Sequence, residues 1–325
     1  MKMLCVFICC VFGAISCKNT SRLEDKDLYA ELIIDNVSDS MYFSDICSLS
    51  SIGNKLFFVD QKSSKIFVLS DDFKSCKFWG ETGHAGNEFI FLAGIHPVND
   101  TVYSFDAGRQ IIFIYDTNGN LLNQYLFKGD ELFFSREYRC IIDNKKLIGC
   151  AYTVENGCMS IDMRNHNIVK WGKIFNFKSE KQKMLRNGRH LFRLNDIYIT
   201  VSDNLPVIEL YNQKYNRLLE YNYSNVDFVH LRLKNIERNK GEENSYSILC
   251  YDAYLYNKSL YLLMTGFDHG EYVVNKIIKV NIDGNNVSLD KVLNLPGRIY
   301  SSICINGKGL FAFNKSDSRL EFLRL

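Results

Sequence analysis

Short apolar runs, divided by polar clusters of turn-forming residues, fill the chain from Leu28 onward. Runs rich in Ile, Val, Phe, Tyr and Leu alternate with clusters of Asn, Asp, Gly and Ser. This pattern predicts strands joined by tight turns. No segment carries sustained helical periodicity with caps. Lys178 to Arg193 and Val229 to Asn239 are the two candidates for short helices or long loops.

The runs repeat. "KLFFVDQKSSKIFVLSDDF" begins at Lys55 and "DTVYSFDAGRQIIFIYDTNG" at Asp100, and both read apolar strand, Asp, polar turn, apolar strand. Asp60 precedes Ile66, Asp106 precedes Ile112 and Asn314 precedes Leu320, each by six residues. Looser copies lie between them. Their strands open near Leu56, Val102, Leu147, Ile197, Leu260 and Leu310, at intervals of 46, 45, 50, 63 and 50 residues. A period of roughly 40 to 50 residues built of short strands is the signature of a β-propeller with four strands per blade. Six copies predict an all-β, six-bladed propeller of antiparallel blades. The 63-residue interval leaves room for an insertion around Val229 to Glu243. The last copy ends too early for a full blade, and Leu28 to Asn36 can supply the missing outer strand and cover an exposed edge. A pair of β-sandwiches would also explain the strands, but not the repeated Asp-to-Ile spacing.

The stretch "FWGETGHAGNEF", Phe78 to Phe89, places Gly80, Gly83 and Gly86 at three-residue spacing. It is not G-x-G-x-x-G, lacks the Gly-Lys-Ser/Thr of a P-loop, and no helix follows to meet a phosphate. It reads instead as a blade-to-blade crossing in which the glycines turn the chain and Phe89 packs between blades.

Composition narrows the classes. The 325 residues are 46% hydrophobic, ample for one large core. With 39 Lys plus Arg against 37 Asp plus Glu and no long basic run, nothing points to nucleic acid. Met3 to Ile15 is apolar, has the length of a signal-peptide core and is too short to span a bilayer. It runs into Ala14-Ile15-Ser16-Cys17. These small residues before a cysteine resemble a bacterial lipobox, with Ala14 where Leu is usual. The resemblance implies cleavage before Cys17 and acylation of its thiol and new amino group; an ordinary secretory signal is the alternative. The expected organisation is a signal peptide over residues 1–16, a lipidated cysteine and tether over 17–27, and one monomeric propeller over 28–325. The Lys18 that follows differs from an inner-membrane retention Asp, which favours the outer membrane. Seven further cysteines remain, an odd number without a C-x-x-C pair, and few or no disulfides are expected.

Trp79-Gly80 and Gly83-His84-Ala85-Gly86-Asn87-Glu88-Phe89 resemble the Gly-rich "GxGPGEF" connector of NHL-like propellers, here without its Pro. Together with the lipobox, they are similar to the TolB-like six-bladed propeller lipoproteins of gut-type Gram-negative bacteria. The resemblance implies the fold and a membrane anchor, not an activity.

Candidate chemistry is sparse. Asp60, Asp106, Asp203 and Asp268 recur just after a strand. A ring of carboxylates at a propeller mouth could hold a divalent metal. Recurrence at the repeat period favours each Asp capping its own turn. "GFDHGEY" clusters Asp268, His269 and Glu271, the right types for acid–base or metal work, although neighbours on one strand cannot all face one way. His84, His96, His166, His190 and His230 are scattered singly, and any could reach the channel. There is no G-x-S-x-G and no H-E-x-x-H. No catalytic residue, metal or cofactor is assigned. "KSEKQKMLRNGRH", Lys178 to His190, is the most basic segment and could meet a partner or stand as a solvated loop. The expected function is binding of a protein partner or glycan-related ligand in the cell envelope. A propeller lyase, lactonase or glycosidase with a metal-assisted channel site is the alternative.

Overall fold

The computed structural model describes residues 23–38, 41–127, 138–143, 145–151, 153, 155–238 and 247–325. The expected signal peptide, Cys17 and the tether up to residue 22 lie outside the described residues.

Six antiparallel sheets follow one another along the chain and stand as blades around a channel. Their innermost strands are Ile46–Ile52, Leu92–Val98, Ile141–Asp143, Arg189–Leu194, Cys250–Tyr256 and Tyr300–Ile305, and each touches the next around the ring. The strands that opened the six sequence copies are the second strands: Lys55–Asp60, Thr101–Asp106, Lys146–Cys150, Ile197–Ser202, Ser259–Asp268 and Leu310–Asn314. These sit between two neighbouring blades and are buried on both faces, so "KLFFVD" and "LFAFN" read as continuous apolar runs. Outer strands face solvent and lose that pattern, as in the exposed Leu121–Leu126.

The core is divided by blade interfaces. Among the described residues six hydrophobic clusters form, and each spans two adjacent blades. Blades 1 and 2 share Phe57, Val59, Ile66, Phe89, Val102 and Phe113. The joint that closes the ring, between blades 6 and 1, is aromatic: Phe43 meets Phe58 edge-on at 5.4 Å, and Phe58 stacks on Phe67 at 5.3 Å.

Closure uses the N-terminal part of the chain. Ala30–Ile34 pairs antiparallel with Arg319–Leu323 and completes blade 6 as its outer strand. The preceding Glu24–Asp27, expected to end a tether, is also a strand. It pairs in parallel with the outer edge of blade 5, with Glu24 opposite Lys291 and Asp27 accepting a hydrogen bond from Asn294 Nδ2 at 2.9 Å. A charged edge strand can be held by backbone bonds alone, which hydropathy does not register.

The two mouths of the channel differ. In five blades the innermost and second strands are joined by two residues, as at Asn99-Asp100, Asn195-Asp196 and Asn257-Lys258. Asn99, Asn195 and Asn257 take positive φ there, the conformation such a turn demands. These turns leave the lower mouth flush. The long connections between blades cross at the upper mouth. They include helix α1 (Glu180–Arg186), capped by Ser179, and helix α2 (Asp227–Arg238), which lies within the interval expected to hold an insertion. The rest of the Lys178 to Arg193 run is the innermost strand of blade 4.

Candidate functional site

An ion pair closes the waist of the channel. Arg139 precedes the innermost strand of blade 3, and Asp252 lies on that of blade 5. Arg139 Nε donates to Asp252 Oδ1 at 2.8 Å and Nη2 donates to Oδ2 at 2.6 Å. Nη1 donates to the Leu49 carbonyl and Ser50 Oγ, and Nη2 also reaches the Ile303 carbonyl at 3.0 Å. All five guanidinium donors therefore have acceptors. Asp252 Oδ2 accepts further bonds from Ser302 Oγ and the Ile303 N–H, both at 2.9 Å. One pair thus ties together strands from blades 1, 3, 5 and 6. Both side chains are about nine-tenths buried, so the full set of partners offsets a desolvation cost that an unpaired charge could not meet.

Two imidazoles flank the pair. His190 Nδ1 accepts from the Arg139 N–H at 3.3 Å, and its ring stands edge-on to Tyr138 at 5.7 Å. Burial pushes His190 down to about 4; the Asp252 carboxylate opposes that shift and the adjacent Arg139 charge adds to it. His96, on the wall below, is pushed to about 4 by burial and then by Arg139. Both rings are neutral at pH 7.

Above the pair the channel narrows to a cleft of about 30 Å³ beside Asp45, Tyr138 and Lys315. Tyr138 donates to Asp203 Oδ2 at 2.6 Å on that rim, and Lys315 Nζ bonds Asp45 at 2.8 Å. Below the pair a recess of about 240 Å³ opens at the lower mouth. Ser51, His96, Arg139, Arg193 and Tyr254 supply its polar wall; Ile141, Leu191 and Phe192 supply apolar wall.

The four recurrent aspartates do not converge. Asp106 accepts the N–H groups of Ile90, Phe91, Gly108 and Arg109 at 3.0–3.2 Å and Arg109 Nε at 2.7 Å. Asp60 accepts from the Ser44, Asp45 and Lys62 N–H groups and from Ser44 Oγ. In both blades the carboxylate fastens a hairpin turn to the segment entering the same blade. Asp106→Ala should therefore cost about 2–4 kcal/mol, because it removes the shared acceptor of four part-buried N–H groups and of Arg109 at once. Urea unfolding of D106A reads this; a loss under 1 kcal/mol would contradict the role.

Asp203 reaches the upper rim through Tyr138. Asp268 sits with His269 and Glu271 at the exposed tip of the long blade 5 hairpin, where His269 is 96% exposed and Glu271 pairs with Arg298 at 2.5 Å. Among the described residues, no three of His, Cys, Asp or Glu are grouped to hold a metal.

The glycine stretch folds on itself. Glu81–Thr82 and Glu88–Phe89 pair in parallel, and Arg109 Nη1 donates to the carbonyls of His84 and Ala85. Gly80 has φ +90°, and a Cβ there would lie 2.6 Å from the Phe89 ring and 2.8 Å from the Ser64 carbonyl. Gly86 has open space around it. Phe89 is fully buried and meets Phe113 edge-on at 5.5 Å. His84 is exposed and does not line the recess that His96 and Arg139 border.

Arg139, Asp252 and Tyr254 were missed from the sequence. Asp252 had a signal: it is a lone carboxylate inside the apolar strand "CYDAYLY". Arg139 had none, since it follows a segment without periodicity.

No protein-family model matches the sequence, and no curated protein matches it. Solved structures do match in fold. A member of the DUF4221 family from Bacteroides vulgatus is similar over 91% of this chain and 97% of its own, at 11% identity and TM-score 0.60. An exported protein of Bacteroides fragilis, so described, is similar over 82% of this chain and 79% of its own, at 12% identity and TM-score 0.52. A streptogramin B lyase is similar over 92% and 98%, at 10% identity and TM-score 0.50. At these identities the likeness shows the propeller fold and nothing further.

Proposed function

We propose that the protein is a binding propeller of the cell envelope, anchored through a lipid on Cys17, that holds a small neutral, glycan-related ligand at the lower mouth of its channel. The observation that carries this reading is the saturated Arg139–Asp252 pair. The charge at the waist is satisfied from within. The other charge on the recess, Arg193, is paired with Asp143, and the remaining lining groups are neutral: the Ser51 and Tyr254 hydroxyls and the His96 imidazole, beside Ile141, Leu191 and Phe192. A sugar ring offers the matching mixture of hydroxyls and an apolar C–H face. The recess is below the roughly 300–1,000 Å³ typical of drug-sized ligands, which suits a single ring. The metal-assisted lyase, lactonase or glycosidase alternative needs a carboxylate free to act, and Asp252 is engaged by Arg139, Ser302 and Ile303. The same reading places the chain with the TolB-like, NHL-like lipoproteins of the outer membrane. A protein partner is a second reading, favoured by the long connections and both helices gathered at the upper mouth.

Thermal shift and calorimetry with N-acetylglucosamine, galactose and glucuronate as probes test the recess. A neutral sugar should bind in preference to glucuronate. Ser51→Phe, which fills the recess, should weaken that binding at least tenfold and leave the melting temperature of the free protein nearly unchanged. No shift with any sugar, or equal binding by S51F, overturns the reading.

A further inference from the structure

Cys150 and Cys158 stand directly opposite each other on the second and third strands of blade 3. The Ala151 N–H donates to the Gly157 carbonyl at 3.0 Å, so the ladder's bonds flank this pair and the two cysteines exchange none. Such non-bonded partners hold their Cα atoms about 4.5 Å apart, with both side chains on one face. Disulfides take Cα separations of about 4.4–6.8 Å, which includes that spacing. Both thiols lie in the interface between blades 3 and 4, against Trp171 and Leu191. No other described cysteine has a cysteine across its ladder: Cys47 faces Val59, Cys76 faces Leu69, Cys250 faces Met264 and Cys304 faces Phe311.

We propose that Cys150 and Cys158 are a modification site: a cross-strand disulfide that staples the turn of blade 3. It forms by exchange with a disulfide-bearing oxidant, a small molecule or a protein. One cysteine thiolate attacks the oxidant's S–S bond, makes a mixed disulfide and releases one thiol. The second thiolate attacks the mixed disulfide at the protein sulfur and releases the other thiol. Two protons leave the cysteines, and two electrons reduce the oxidant to two thiols. Burial pushes the Cys158 thiol up to about 12 and Cys150 higher still, so few thiolates exist once the blades have closed. The bond therefore forms while the hairpin is made and before blade 4 covers it. This site is independent of the ligand recess.

The full chain, refolded in a glutathione redox buffer and then alkylated, tests the site. Trypsin releases residues 147–164 with both cysteines on one peptide, because no Lys or Arg lies between them. That peptide should be unalkylated and two hydrogens lighter, and cleavage after Glu155 should leave its halves joined. Reduction should lower the melting temperature by about 5 °C, and the double variant Cys150→Ala/Cys158→Ala should lose that difference. In Cys158→Ala alone, Cys150 should be alkylated and no other cysteine should take its place. Recovery of 147–164 with both cysteines alkylated, or bridged elsewhere, overturns the proposal, and this readout stands even where a variant folds poorly.

Discussion

Replacing Arg139 by alanine should destabilise the protein by about 3–5 kcal/mol, the cost of leaving one half of a buried ion pair uncompensated. Asp252 would keep only its Ser302, Ile303 and Ala253 donors in a site where its side chain is 8% exposed. The innermost strands of blades 1 and 6 would also lose the guanidinium that their Leu49 and Ile303 carbonyls share. A propeller closes only when its innermost strands meet, so the loss falls on the ring as a whole. The expected fall in melting temperature is on the order of 10 °C. The double variant Arg139→Met/Asp252→Leu should recover most of it, because a packed apolar pair can replace a buried ionic one at little cost. Chemical unfolding of the three proteins decides this. If R139A unfolds like the wild type, the pair is not the clamp described above.

Acid should unfold the protein in a defined window. His190 is depressed from 6.5 to about 4 by burial, with the Asp252 carboxylate opposing the shift and the Arg139 charge adding to it. Between those values the unfolded chain binds a proton that the folded chain refuses. Stability is therefore complete above pH 6.5, falls as pH drops toward 4, and levels off below that. At 1.36 kcal/mol per pKa unit, His190 accounts for about 3 kcal/mol of the loss. His96 moves in the same direction, with a smaller effect because its ring borders the open recess. The groups that face His190 are Arg139, Tyr138 and Asp252. Carboxylates held low by their neighbours, such as Asp116 and Asp162, act below their ordinary 3.8 and lie outside this window. Urea unfolding from pH 4 to 8 should show the slope, and His190→Gln should remove about one proton from it. An unchanged slope in H190Q would assign the acid sensitivity elsewhere.

Legibility followed distance along the chain. The two-residue Asn turns, the Asp60 and Asp106 caps and the closing strand 30–34 are each specified by neighbours in sequence or by a single edge left open. Glu24–Asp27 escaped notice because its charged side chains carry no apolar pattern while its backbone finds the blade 5 edge. His269 and Glu271 drew attention by clustering in sequence, yet a hairpin tip carries them into solvent. His96 and His190, single and unremarkable in sequence, face the waist of the channel.

The chain by itself determined the number of blades, their four-stranded build and the use of its own N-terminal segment as the last outer strand. Those features repeat with a period that burial on two faces imposes on every second strand. Only the tertiary structure decided what occupies the channel. Arg139 meets Asp252 across 113 positions, and Ile303 across 164. No local pattern encodes that meeting, because it is made by closing the ring, which brings the start of every blade to one axis.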